Sequence, residues 1–396
     1  MDRRKFIKNS VLASGLTFMP SFLKAFETID VESIGYKRLV IVQLTGGNDG
    51  LNTIVPVRND IYYKSRPKIA IPKNQTIKLN DDLGFHKSLK PLKRLYDKGE
   101  LCIINNVGYP NPIRSHFRSS DIWHTASRDK YQQVGWIGRY LDHYGTNAHE
   151  AIDINKNLTL AFKGQYKNGI ATKSAMELYR SLQESDFNTI LAYQNSQKHL
   201  NEHNLGYLYR TMIDVKSSAK YLYEKTSNTA LATNYPKSSL GNQLRTVAQF
   251  INSRVATKVF YTSVIGFDTH SNQVARQERL LANYADSMEV FVQDLKKNNT
   301  FKDTLILTFS EFGRRVDQNY SNGTDHGAAN NLYVIGDQLK KPGLYNDLDT
   351  LQNLDDNGDI KYEIDFRTIY ATILDKWLNV SDKKVLNKSF SKLDFI

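Results

Sequence analysis

Acids, histidines and serines gather in four glycine-flanked or helix-starting stretches. These are TGGNDGLN (45–52), RSHF (114–117), GFDTH (266–270) and the run from Ser310 to Gly327, which opens SEFGRR and closes GTDHG. Asp268 and His270, two residues apart, are suited to hand two ligands to one ion, and His326 is a third candidate. Mixed carboxylate and imidazole donors suit zinc, manganese or calcium. An ion held there would polarise an ester and lower the pKa of a water or of a nearby hydroxyl. Asp49 and Glu311 are candidates to complete the shell or to bridge to a second, weaker ion. Ser115, between Arg114 and His116, either caps a helix or serves as a nucleophile. Arg114, Arg118 and Arg314 can grip an anionic group bidentately. Plainer readings stand beside these. Asn48-Asp49-Gly50 can be only a turn, and Glu311 with Arg314 and Arg315 can be a salt-bridged loop.

These groups meet only if the chain delivers them to one edge of a sheet. Leu39–Leu44 (LVIVQL) is a near-continuous apolar run, expected of a parallel strand covered on both faces. Leu101–Val107, Lys258–Val264, Thr304–Phe309 and Leu332–Ile335 read as further strands, and the chemistry-bearing stretches follow several of them. Open α/β sheets build their sites at such strand ends. Helical spacing of apolar residues predicts helices over Ser88–Lys98, Asn272–Lys297 and Phe366–Leu378, and Ser115 is a natural N-cap for a helix through Trp123. The strand–helix–strand order through Phe309 predicts a right-handed βαβ unit. The fold class is therefore α/β, with a mostly parallel central sheet and helices on both faces.

From about 146 to 235 the chain is polar and rich in tyrosine and lysine, which reads as a mainly helical insertion beside the sheet. His199 and His203 have a zinc-compatible spacing there but no surrounding HExxH frame, and read as a solvated helix face. Asn353–Asp359 imitates a calcium-binding loop, but Ile364 stands where a bidentate glutamate is needed, so Asn357-Gly358 is taken as a hairpin turn.

A content of 40% hydrophobic and 24% charged residues describes a globular chain with a substantial core. Asp2-Arg3-Arg4-Lys5-Phe6 precedes a weak apolar run from Val11 to Phe22, the pattern of a twin-arginine export signal over residues 1–26. That route predicts a periplasmic or cell-surface location and the twin-arginine translocase as a transient partner. The apolar run is too short for a membrane span. Net charge is +12, and no nucleic-acid motif accompanies it, so a solvated basic surface is expected and no nucleic-acid partner. Cys102 is the single cysteine, so no internal disulfide can form and stability must come from the core.

In order, GGNDGLN (46–52), RSHF (114–117), GWIGR (135–139), GFDTH (266–270), SEFGRR (310–315), GTDHG (323–327) and DFR (365–367) resemble the domain-of-unknown-function family 1501. That family comprises twin-arginine-exported bacterial proteins related to the alkaline phosphatase and sulfatase superfamily. The resemblance implies an alkaline phosphatase-like fold over 27–396 and a metal-assisted centre for phosphate or sulfate esters. By it, Asp49 looks like the first-strand metal aspartate, and Ser115 occupies the nucleophile position with His116 and Arg114 around it. Asp268, His270 and His326 look like the ligands of one ion. The superfamily usually has an Asp-His pair where Glu311-Phe312 stands. The fold implies one or two divalent ions; Phe312 cannot ligate, which reduces the expectation to one ion or none. The expected substrate is an anionic small-molecule or polysaccharide ester. The alternative is a non-catalytic binding protein of the same fold, recognising an anionic polymer or an envelope partner.

Overall fold

The computed structural model describes residues 36–396 apart from 130, 185–202, 231 and 233. The export-signal reading and His199 lie outside the described residues. Lys37–Ile396 forms one compact unit.

In chain order the strands are β1 (Arg38–Thr45), β2 (Ile54–Pro56), β3 (Thr76–Lys78), β4 (Leu83–His86), β5 (Leu101–Gly108), β6 (Ala151–Asp153) and β7 (Ile170–Ala171). They continue with β8 (Val259–Ile265), β9 (Thr304–Phe309), β10 (Asn330–Ile335), β11 (Gly343–Leu344) and β12 (Ile364–Asp365). The main sheet runs β11-β5-β10-β9-β1-β8-β6-β7, with β12 also paired to β5. Only β10 opposes its neighbours; the other pairs, β9–β1–β8 at the centre among them, are parallel. A small antiparallel sheet, β2-β4-β3, sits apart, with β3 at its edge.

The central run of apolar residues is explained by cover on both faces. Val40, Val42 and Leu44 of β1 join one core, with helices α1 (Lys90–Asp97), α5 (Ser239–Asn252) and α6 (Gln273–Lys297) packed over it. Leu39 and Ile41 point into the opposite core, under α2 (His116–Thr125), α3 (Trp136–Tyr144) and α7 (Phe366–Thr372). A strand with both faces buried has no polar side to alternate with, hence LVIVQL. The remaining long helix among the described residues, α4 (His203–Thr226), falls in the 146–235 stretch. The same stretch also supplies β6 and β7, so the sheet itself takes its edge from residues read as lying beside it. Around Asn357-Gly358 the chain does turn tightly, with Asp355 and Asp359 bonded across the turn.

Because β9, β1 and β8 are parallel neighbours, their carboxyl ends lie together, and the chain leaving them carries Glu311, Asp49 and Asp268. Gly46 at φ +118° makes the joint possible: a Cβ there would lie 2.3 Å from the backbone nitrogen of Asp268.

Candidate metal centre

Asp268 is the hub of the site. Its Oδ1 lies 3.1 Å from His270 Nε2, 3.2 Å from His326 Nε2, 3.4 Å from His116 Nε2 and 2.7 Å from the guanidinium of Arg314. The carboxylate is 45% exposed, so the cluster opens to solvent on one side. Burial alone would raise its pKa, but the hydrogen bond from Arg314 and the charge of that guanidinium prevail, holding it well below the usual carboxylate range. His116, Asp268 and His326 each offer a ligand atom within 4.8 Å of the other two. His270 joins them, its Nε2 only 2.9 Å from that of His326.

What aims the three rings is the opposite nitrogen. Nδ1 of His326 bonds the backbone carbonyl of Arg114 at 2.8 Å, Nδ1 of His270 bonds Asp325 Oδ1 at 2.9 Å, and Nδ1 of His116 bonds Glu311 Oε1 at 2.8 Å. A carbonyl can only accept, and so does an ionised carboxylate, so all three Nδ1 atoms donate. The Nε2 lone pairs then converge on Asp268. Two such lone pairs 2.9 Å apart, beside a carboxylate oxygen, repel unless a cation lies among them. His116 Nε2 is buried and has no hydrogen-bond partner. The donor set therefore fits a divalent ion. Glu311 raises the pKa of His116 through its hydrogen bond, against burial, while burial lowers that of His326.

The sequence matches the family described as "Protein of unknown function (DUF1501)" over residues 36–390. The chain belongs to this family. No curated protein matches it. Among solved structures, the DUF1501 chain is similar to the PsFucS1 sulfatase from Pseudoalteromonas sp., at 13% identity over 90% of this chain and 70% of that one, TM-score 0.43. It is also similar to the phosphonate monoester hydrolase SpPMH from Silicibacter pomeroyi, at 9% identity over 90% and 78%, TM-score 0.40. A third is the C-terminal periplasmic domain of EcEptC from Escherichia coli in complex with Zn, at 12% identity over 76% and 72%, TM-score 0.37.

Not every residue singled out from the DUF1501 sequence reaches the cluster. The carboxylate of Asp49 is buried and bound at 2.6 Å by the equally buried Arg66, with Gln273 and its own turn taking what remains. It is spent on an internal ion pair that pins the 46–53 loop. Glu311 also stands back: its Oε1 accepts from the Gly46 backbone as well as from His116, making it an orienting group. Arg314 is buried and donates to the carbonyls of Gly46, Gly47, Phe267 and Thr324 besides Asp268, which commits it to the protein's own groups. Arg114 is held by Asp355 and Asp359, and Arg118 caps the carbonyls of Arg128 and Asp129. Arg314 thus bonds the hub of the cluster, while Arg114 and Arg118 are held by the chain around it.

Ser115 is at the N-cap of α2, as its place in the sequence suggested, but its hydroxyl makes no capping bond and is exposed. Phe312 lies against His116 and His326, with ring centroids at 4.8 and 4.7 Å. It is a floor for two imidazoles where a ligand pair was looked for. Asp325 and Arg66 are the residues that sequence reasoning left without a role. Asp325 had a signal, its place beside His326; Arg66 had none.

Proposed function

We propose that this DUF1501 protein is an exported hydrolase of phosphate or sulfate esters built on a single divalent ion. The observation that carries the reading is the convergence of three Nε2 atoms on Asp268, each fixed from behind at Nδ1. His116, Asp268, His270 and His326 would hold the ion, and three imidazoles with one carboxylate favour zinc over calcium. When bound, such an ion supplies Lewis-acid polarisation of the ester oxygens. The pairing of Asp49 with Arg66 and the apolar Phe312 argue against a second ion.

The chain's own groups complete the chemistry. The first turn of α2 offers backbone N–H groups to the anionic head of the ester, a role the arginines are too occupied to fill. Ser115 offers the attacking oxygen. As its Oγ bonds to phosphorus or sulfur, the bond to the alcohol breaks and the hydroxyl proton passes to the departing oxygen; water then reverses the attachment. Arg314 keeps Asp268 ionised throughout.

The test is turnover of aryl phosphate and aryl sulfate esters by purified protein with added zinc or manganese. Wild type should hydrolyse one class, His270→Ala should lose activity by about 100-fold or more, and Ser115→Ala should lose turnover with thermal stability intact. Absence of both turnover and bound metal in the wild type would instead favour the reading in which the fold binds an anionic polymer, a reading the apolar Phe312 also favours.

A further inference from the structure

Beside Phe312 and Glu311 lies a cavity of about 280 Å³ that the proposed chemistry does not use. Its walls are Tyr109, Trp123, Phe312, Ala328, Ile360 and Tyr362, with Glu311 at the back. The first five of these are buried, whereas Tyr362 is 38% exposed and stands at the mouth beside Lys361. The polar atoms of the inner wall are already satisfied. The Tyr109 hydroxyl bonds Ser119, the indole N–H of Trp123 bonds the Glu311 carbonyl, and Asp355 is paired with Arg114. An inner wall of this kind offers little to ordered water. Small side chains create it: Ala328 and Ala329 lead into β10, and Gly108 admits Tyr362, whose Cβ would be 2.8 Å from a Cβ at 108.

We propose that this cavity is a binding site for a small aromatic group. Four of its walls are aromatic, and edge-to-face contact with such walls favours a ring over an alkyl body of equal size. Phe312, against which His116 and His326 rest, is one of its walls, so the cavity adjoins the metal centre. The assignment does not depend on the hydrolase reading.

Ligand-detected NMR on the full chain tests it, with phenol as the probe and cyclohexanol as the non-aromatic control. Phenol should bind saturably at one site, up to about tenfold tighter than cyclohexanol, the margin that aromatic pairing allows. Ala328→Leu should fill the cavity and abolish binding while thermal unfolding stays at the wild-type temperature. If that variant does not fold, Tyr362→Ala, which changes only the mouth, should weaken phenol several-fold. Absence of saturable phenol binding, equal affinity for the two probes, or binding indifferent to the substitution would overturn the proposal.

Discussion

At the scale of single residues, the site is a matter of which nitrogen of each imidazole is left over. The Arg114 carbonyl, Asp325 and Glu311 take the three Nδ1 atoms, and Asp268 receives the three Nε2 atoms. Hydrogen bonds from Asn319 and from His270 lower the pKa of Asp325, so it faces His270 as a carboxylate. Outer groups of this kind orient a ligand and raise its basicity. Asp325→Asn should therefore weaken zinc binding by about 10- to 100-fold, as measured by competition with a chromophoric chelator. Asp325 is half exposed, so the fold should be unaffected. Unchanged zinc affinity would mean that His270 is aimed by something else. Asp49 teaches the reverse. Nothing in TGGNDGLN distinguishes a ligand from an internal counter-ion, because its partner Arg66 enters from a separate turn.

At the scale of elements, apolar runs and strand-end glycines made the central sheet legible before any coordinates. LVIVQL, Thr304–Phe309 and the 258–264 run became β1, β9 and β8, and their parallel order brings Asp268 and the approach to Glu311 to one edge. The short strands β6 and β7 were not legible, since two- and three-residue strands carry no period to detect. The same edge holds a pH-dependent joint. His149, just before β6, bonds Ser218 of α4 at 3.0 Å and stacks on Tyr221, and burial lowers its pKa to about 4. An unfolded histidine titrates near 6.5. Stability is therefore fully present above pH 6.5 and is lost as pH falls towards 4, because only the unfolded chain takes up the proton. This histidine should account for about 2 kcal/mol of destabilisation at pH 5 relative to pH 7.5. Denaturant unfolding at the two pH values reads it, and His149→Gln should show a smaller loss. An equal loss in both proteins would place the acid sensitivity elsewhere, His86 and His124 being also buried with lowered pKa.

At the scale of the whole molecule, a site that assembles from loops after β1, β5, β8 and β9 exists only in the folded chain. Among the described residues no helix is long and apolar enough to cross a membrane. Arg3-Arg4→Lys-Lys should leave the precursor inside the cell, as read by fractionation; normal export of the variant would contradict the signal reading. The measurement closest to the central claim is X-ray absorption on zinc-loaded protein, with metal counted per chain. The account predicts one ion, an imidazole-rich shell at about 2.0–2.1 Å, and loss of one imidazole scatterer in His116→Gln. A chain that retains no ion, or an ion whose shell is unchanged in His116→Gln and His270→Ala, would contradict it.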